Sequence, residues 1–347
     1  MPERPRLTPA VADVRRAVRE ALVGSGAGPT DGATGLVLVA CSGGPDSLAL
    51  AAGVAFEAPR NGWRAGAVIV DHGLQEGSAE VAERAANQCR ALGLEPVVVR
   101  RVEVGTDGGP EGAAREARYL ALENVARETG ASAVMLGHTL DDQAETVLLG
   151  LARGSGGRSL SGMSQQTLMP SAGGYWLRPL LGLTRSTTVA ACSDAGLDPW
   201  LDPHNQEERF ARVRVRNQIL PELEKALGPG IAQALARTAD TLREDEEVLR
   251  REAERAWASV ASTLPTAIVF DVEKFGDQPK AIRHRLVALA VEALSAPAFA
   301  RIHVLEIDQL VDDWHGQKSL TLPGVRVERK GNELTFKTTK TLRPGAC

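Results

Sequence analysis

The residues best placed to do chemistry are Ser42, Gly43, Gly44, Pro45, Asp46 and Ser47, set between an apolar run from Gly35 to Cys41 and a helix-forming run from Leu48 to Ala52. A buried strand, a glycine-rich turn and a helix N-terminus in that order gather backbone N–H groups at the positive end of a helix dipole, which makes a site for phosphate. Two glycines let the backbone approach the anion, the hydroxyls of Ser42 and Ser47 can donate to it, and Asp46 can hold Mg²⁺. A Walker loop, G-x-x-x-x-G-K-[ST], needs a lysine to reach the outer phosphates; this loop has none and is too short, which argues against a kinase or γ-phosphate hydrolase. A plain Gly-Pro turn with a helix cap is the alternative.

Three further constellations follow. Asp71-His72-Gly73 closes an apolar run, where a histidine serves a loop hydrogen bond about as often as a ligand. Arg115, Arg118 and Tyr119 fall within about one helical turn of each other, and the two guanidiniums suit phosphate unless they pair with Glu111 or Glu116 on the surface. Gly137 and His138 precede Asp141, Asp142, Gln143, Glu145 and Thr146. Acids in a first helical turn favour the helix dipole, but this leaves His138 and the paired carboxylates unexplained; opposite Asp46 they could share a metal or hold a cationic amine. Arg209, Arg212, Arg214 and Arg216 form a local positive patch suited to phosphate, on one face if the segment is a strand and spread around it if a helix.

The elements that must position these groups are legible from pattern. Candidate strands at Leu36 to Ala40, Gly66 to Asp71, Pro96 to Val102 and Ser132 to Gly137 alternate with helices beginning near Asp46, Gly77, Glu111 and Asp141. Repeated β-α units of this length predict a parallel sheet covered on both faces, with ligands beyond the carboxyl ends of its strands. The loops starting at Ser42, His72 and His138 should therefore converge. A helix is expected from about Thr184 and a long one from Ile231 to Val260; helices near 281–294 and 299–314 then precede alternating strands that turn at Gly331-Asn332. The chain has 347 residues, 43% hydrophobic and 24% charged, and a net charge of −4. That describes a globular protein with room for two domains that does not coat nucleic acid along its length, so any RNA contact is local. No apolar run approaches the ~20 residues of a membrane span, and the first residues lack a signal-peptide core, so a cytoplasmic location is expected. Cys41, Cys89, Cys192 and Cys347 are too scattered for a zinc or iron–sulfur site.

The loop pattern S-G-G-x-D-S resembles the PP-loop ATP pyrophosphatases. Residues 34 to 221 as a whole resemble the tRNA(Ile)-lysidine synthase family, through Asp71 to Leu74, Glu111 to Tyr119, Gly137 to Thr146, Arg153-Gly154, Gly162-Met163, Arg178 to Leu181 and Pro199 to Arg216. The resemblance implies an α/β fold: a Rossmann-like parallel sheet with the PP-loop, followed by a smaller, mainly helical α+β C-terminal domain. It divides the chain into an N-terminal helix and loop (1–33), a catalytic domain (34–221) and a C-terminal domain assisting tRNA binding (222–347). The implied reaction uses ATP and Mg²⁺ to adenylate the C2 oxygen of the wobble cytidine, C34, of a CAU-anticodon tRNA(Ile), after which free L-lysine displaces AMP. The implied catalytic set is Asp46, Asp142, Arg115 and Arg212, with Asp46 and Asp142 on the metal. Ser42, Gly43, Gly44, Pro45, Asp46, Ser47, His72, Gly137 and His138 would hold the nucleotide, and Arg118, Arg209, Arg214 and Arg216 the tRNA. Family analogy allows a homodimer. Departures are Thr139 for a second histidine, Val213 for a common asparagine and His204 for a small polar residue. The rivals are a PP-loop tRNA thiolase, for which the cysteines are wrong, and a non-catalytic nucleotide-gated RNA-binding protein.

Overall fold

Helix α1 (Pro9–Gly24) starts where the sequence caps it: Thr8 Oγ1 accepts from Val11 N–H, and Pro9 occupies the first turn, where a missing N–H costs nothing. The computed structural model describes residues 7–26, 34–73, 77–103, 105, 110–154, 156–202 and 207–339. Val14, Val18 and Leu22 of α1 are buried; the Cβ of a residue at Gly53 would stand 2.9 Å from a Val14 methyl, so the absence of a side chain at Gly53 sets how closely α1 approaches the following helix.

Four β-α units then alternate: β1 (Gly35–Ala40), α2 (Pro45–Glu57), β2 (Trp63–Asp71), α3 (Ser78–Ala91), β3 (Val97–Arg101), α4 (Pro110–Thr129), β4 (Ala133–Leu136) and α5 (Leu140–Ala152). After a short helix α6 (Gly157–Leu160) come β5 (Gln166–Leu168), β6 (Tyr175–Leu177) and α7 (Arg185–Asp194). The six strands lie in the order β3-β2-β1-β4-β6-β5, all parallel except β5, which runs against β6. Leu36 to Val39 of β1 are buried, as a strand covered on both faces requires. Because the strand order reverses between β1 and β4, the loops leaving their carboxyl ends part in opposite directions and open a crevice there.

The arginine-rich segment is helical. α8 (Ala211–Arg214) runs through a π turn at Val215–Ile219 into α9 (Leu220–Leu227), and the Gly228 to Gly230 break precedes α10 (Ile231–Val260). Contacts divide the described residues into a unit within 1–149 and 162–237 and a second within 150–161 and 238–347. In the second, β7 (Ala261–Leu264), β8 (Ala267–Asp271), β9 (Leu320–Leu322), β10 (Val325–Lys330) and β11 (Glu333–Thr338) form an antiparallel sheet ordered β7-β8-β11-β10-β9. Its buried Phe270, Phe275 and Phe336 pack with Leu286 and Val287 of α12 (Lys280–Ala293) and Ile307 and Leu310 of α13 (Arg301–Asp312); α11 (Val272–Gly276) contributes Phe275. Arg283, buried between α12 and α13, is held by Asp312 at 2.6 Å and Asp308 at 3.4 Å. Among the described residues no helix is long and apolar enough to cross a membrane.

Four strands escape the sequence reading. β5 and β6 are three residues each, too short to show alternation, and β7 follows α10 without a break. The β7–β8 hairpin turns through Pro265-Thr266, with Leu264 opposite Ala267. The C-terminal unit therefore carries a larger sheet than alternation at residues 320–336 alone suggests.

One tight approach fixes how β2 meets the entry to β3. A Cβ at Gly66 would lie 2.5 Å from the carbonyl oxygen of Pro96 and 2.8 Å from a Leu38 methyl, while Ala67 N–H bonds that same carbonyl at 2.8 Å. Gly66→Ala must push the strands apart, and a loss of about 1–3 kcal/mol of stability is expected from overpacking. Urea unfolding measures it; an unchanged midpoint would mean that the sheet yields freely at this point.

Candidate active site

The loop after β1 is built around Ser47. Its hydroxyl donates to Gly44 O at 3.0 Å and accepts from Ser42 N–H at 3.1 Å, with Ser42 Oγ at 3.2 Å. Gly43 has φ +81°, which side chains disfavour, and its carbonyl accepts from Trp200 N–H at 2.9 Å. Helix α2 begins at Pro45 after Gly44 with no capping side chain, so the first-turn N–H groups are left for an anion. Across the crevice, a Cβ at Gly137 would come within 3.2 Å of the Asp46 backbone. Glycine at 137 thus lets the end of β4 close against the start of α2.

The acidic helix α5 positions its carboxylates by a reciprocal cap. Thr139 gives both its N–H (2.8 Å) and its hydroxyl (2.9 Å) to Asp142 Oδ2, while Asp142 N–H reaches back to Thr139 Oγ1 at 3.4 Å. This is a capping box with aspartate in the third position. Thr139, which departs from the family pattern, is therefore the residue that aims Asp142. Gln143 turns the other way, its amide bonding both N–H and C=O of Met163 at 2.7 and 2.9 Å; a Cβ at Gly162 would collide with it at 2.6 Å. Gln143 and the Gly162-Met163 pair thus belong to one structural lock. Val213 is buried, and His204, Leu74 and Cys347 lie outside the described residues.

Three arginines converge on α5. Arg212 and Arg216, four residues apart, share one face: Arg212 Nε lies 3.3 Å from Glu145 Oε2, and Arg216 Nε 2.7 Å from Glu145 Oε1 with Nη2 3.5 Å from Asp142 Oδ1. Arg212 also donates to Thr146 Oγ1 at 2.8 Å. The third is Arg185, at the first position of α7 after the cap Thr184. Its Nη2 is 3.0 Å from Asp142 Oδ1, Nη1 3.4 Å from Glu145 Oε1 and Nε 3.7 Å from Asp46 Oδ2. Thr188, fully buried one turn on, hydrogen-bonds Asp46 Oδ1. Arg209 and Arg214 do not join this cluster: Arg209 pairs with Glu207 and lies over Phe210, and Arg214 bonds the carbonyls of Glu208 and Arg209.

A second group lines the same end of the sheet. His72 Nδ1, His138 Nδ1 and Arg118 Nε are buried with no hydrogen-bond partner, a cost that a ligand would remove. Arg115 and Arg118 lie 4.9 and 5.6 Å from the Tyr119 ring, and that ring packs edge-on against Trp176. Asp71 makes a hydrogen bond within its own loop, accepting from Gly73 N–H at 2.9 Å. Sequence reasoning counted Glu145 among the acids at the start of α5 without giving it a role of its own, and did not single out Arg185 or Thr188. Glu145 was visible as a carboxylate one turn after Asp142, whereas Arg185 and Thr188, at the start of an ordinarily capped helix, carry no local signal. Cys41, Cys89 and Cys192 are free and buried, and no group of three or more metal-ligating side chains occurs among the described residues.

The electrostatics separate the two aspartates. Burial raises Asp46 above the ordinary carboxylate range, with Asp142 adding to this and Thr188 and Arg185 opposing it. Burial acts on Asp142 too, but Arg185, the Thr139 N–H, His138 and Arg212 outweigh it and hold Asp142 below that range. His138 is driven well down by burial, with Arg178, Arg118 and Arg115 reinforcing and Asp142 opposing, so its ring is neutral at pH 7. By linkage, a raised carboxyl stabilises the fold below its ordinary pKa and loses this as pH rises through the raised value; a lowered one stabilises above the ordinary pKa and loses this as pH falls through the lowered value. At pH 7 without ligands, Asp46→Asn should therefore raise the urea midpoint and Asp142→Asn lower it. Shifts of the same sign in both variants would contradict the assignment.

A model of the PP-loop domain matches residues 26–223, and one of the TilS substrate binding domain matches residues 270–335. A tRNA(Ile)-lysidine synthase of Leifsonia xyli is 55% identical over 87% of this chain and 89% of its own length, and one of Thermobifida fusca 52% identical over 93% and 95%. Among solved structures, the U34-tRNA thiolase NcsA of Methanococcus maripaludis, with its [4Fe-4S] cluster, superposes with a TM-score of 0.55 at 20% identity over 68% of this chain and 80% of that one, a likeness of fold alone. With the phosphate loop, the capped acidic helix and these relatives along nearly its whole length, the chain belongs to the tRNA(Ile)-lysidine synthase family of PP-loop proteins.

Proposed function

We propose that this chain joins free L-lysine to C2 of the wobble cytidine of a CAU-anticodon tRNA(Ile), in the cytoplasm, through an adenylated intermediate formed from ATP with Mg²⁺. The product, lysidine, pairs with A instead of G. The observation that carries the reading is the convergence, at the point where the strand order reverses, of an uncapped helix N-terminus with three carboxylates and three guanidiniums. The residues fit the groups required. The N-terminus of α2, which has no side-chain cap, and the orphaned nitrogens of His72, His138 and Arg118 suit a nucleotide, and Asp46 and Asp142, reaching one cation from the first turns of α2 and α5, suit a shared divalent ion.

When bound, ATP supplies the adenylyl group that makes the C2 oxygen a leaving group, and Mg²⁺ balances the charge of the departing pyrophosphate. The chain's own residues do the rest. Arg115 and Arg212 offset phosphate charge, and Gly137 keeps β4 close enough to the loop for both walls to meet one ligand. Arg118 and Arg216 line the crevice that the target nucleotide of the tRNA would enter, and Arg209 and Arg214, outside the carboxylate cluster, provide positive charge for the tRNA backbone. The attacking amine must be neutral, so a carboxylate that accepts its proton is required.

The test is incorporation of labelled lysine into a tRNA(Ile) transcript with a CAU anticodon, with a C34→U transcript as control. Incorporation is expected only with ATP, Mg²⁺ and C34 together. Asp46→Ala and Asp142→Ala should each lower the rate at least about a hundredfold, as removal of a charge-stabilising group does. Release of AMP and pyrophosphate without lysine transfer would mean that the acceptor is misassigned.

A further inference from the structure

Arg185 faces three carboxylates at once, Asp46, Asp142 and Glu145, at 3.7, 3.0 and 3.4 Å. The residue is fixed from behind as well. Its N–H donates to Asp141 Oδ2 at 2.7 Å, and its carbonyl accepts from the Thr188 hydroxyl at 2.8 Å, the same hydroxyl that meets Asp46. Asp46 lies in the first turn of α2, after β1, and Asp142 in the first turn of α5, after β4, and they face each other across this one guanidinium. Asp142 spends Oδ2 on Thr139, so Oδ1 is the oxygen it shares with Arg185 and Arg216.

A divalent cation held by Asp46 Oδ2 and Asp142 Oδ1 would require the volume and the charge position that Arg185 now fills. A dication and a guanidinium cannot occupy it together: at contact distance their repulsion is several kcal/mol even at the effective dielectric of a protein surface. We propose that Arg185 is a resident counter-cation of the metal seat, holding Asp46 and Asp142 together in the ligand-free chain and competing with the divalent ion for them. This rests on the reading of Asp46 and Asp142 as the metal pair. On displacement the guanidinium keeps its buried neighbour Glu145 and turns its free edge to the phosphates, for which its fork is suited. Metal entry is then disfavoured until a polyphosphate is present to receive Arg185, which makes the two ligands bind cooperatively.

The experiment titrates Mn²⁺ alone, without nucleotide or tRNA, into the full chain and reads the free ion by electron paramagnetic resonance. Arg185→Gln should bind Mn²⁺ about tenfold more tightly than the wild-type chain, and Arg185→Lys, which keeps the charge, about as weakly as the wild type. A misfolded variant would lose binding, so a gain cannot come from loss of structure. Equal or weaker binding by Arg185→Gln, with Asp142→Asn still weakening it, would overturn the counter-cation role and leave the metal pair standing. If Asp46→Asn and Asp142→Asn leave Mn²⁺ binding unchanged in the Arg185→Gln background, the metal pair and the counter-cation role both fail.

Discussion

A carboxylate with no exposure to water must be surrounded by charge or neutralised, and Glu145 sets that demand at the centre of this molecule. Its oxygens are reached by Arg185 from α7 and by Arg212 and Arg216 from the helical stretch that follows. Two segments, up to 71 positions further along the chain, are thereby drawn to one face of α5. Arg216 lies within the π turn at Val215–Ile219 and reaches Glu145, as Arg212 does from the turn before it. Once these elements are in place the loop after β1 has its opposite wall. The acids of α5 thus hold the surrounding elements together, and the arginines that would meet phosphate are already held in position.

The regular frame was legible because its periodicity is strong. Runs buried on both faces announced β1, β2 and β4, and the loops at Ser42, His72 and His138 do lie at the carboxyl ends of three neighbouring strands. Where elements are short the pattern carries too few residues, as in β5 and β6, and where a strand continues directly from a helix, as β7 does from α10, nothing in the composition marks the change. The arginine segment could not be read from alternation, because both a strand and a helix were compatible with its spacing; the helix that forms selects Arg212 and Arg216 as one face and sends Arg214 back to its own backbone. Arg185 was hidden for another reason. A single arginine after a threonine cap has no local signature, and its meaning comes from Asp46 and Asp142, 139 and 43 residues earlier in the chain.

The U34-tRNA thiolase of Methanococcus maripaludis shares the fold of this chain, yet a fold does not set chemistry, which is carried by the residues around the site. Here the cysteines nearest to it, Cys41, Cys89 and Cys192, belong to the packed core beneath the sheet's helices. The crevice instead holds oxygen and guanidinium groups, together with a histidine kept neutral by its burial among arginines. Such a set is matched to moving phosphate and amine, not sulfur.

The cap at the start of α5 makes the beginning of that helix a ruler. Asp142 is aimed by Thr139, so its direction depends on where the first turn starts; a slip of one residue in the helix start would carry the carboxylate roughly 100° around the axis. Helix ends fray more readily than helix middles, and in most proteins this is harmless. In this one, the order of a single helical turn and the direction in which Asp142 faces Arg185 and Arg216 are the same physical quantity.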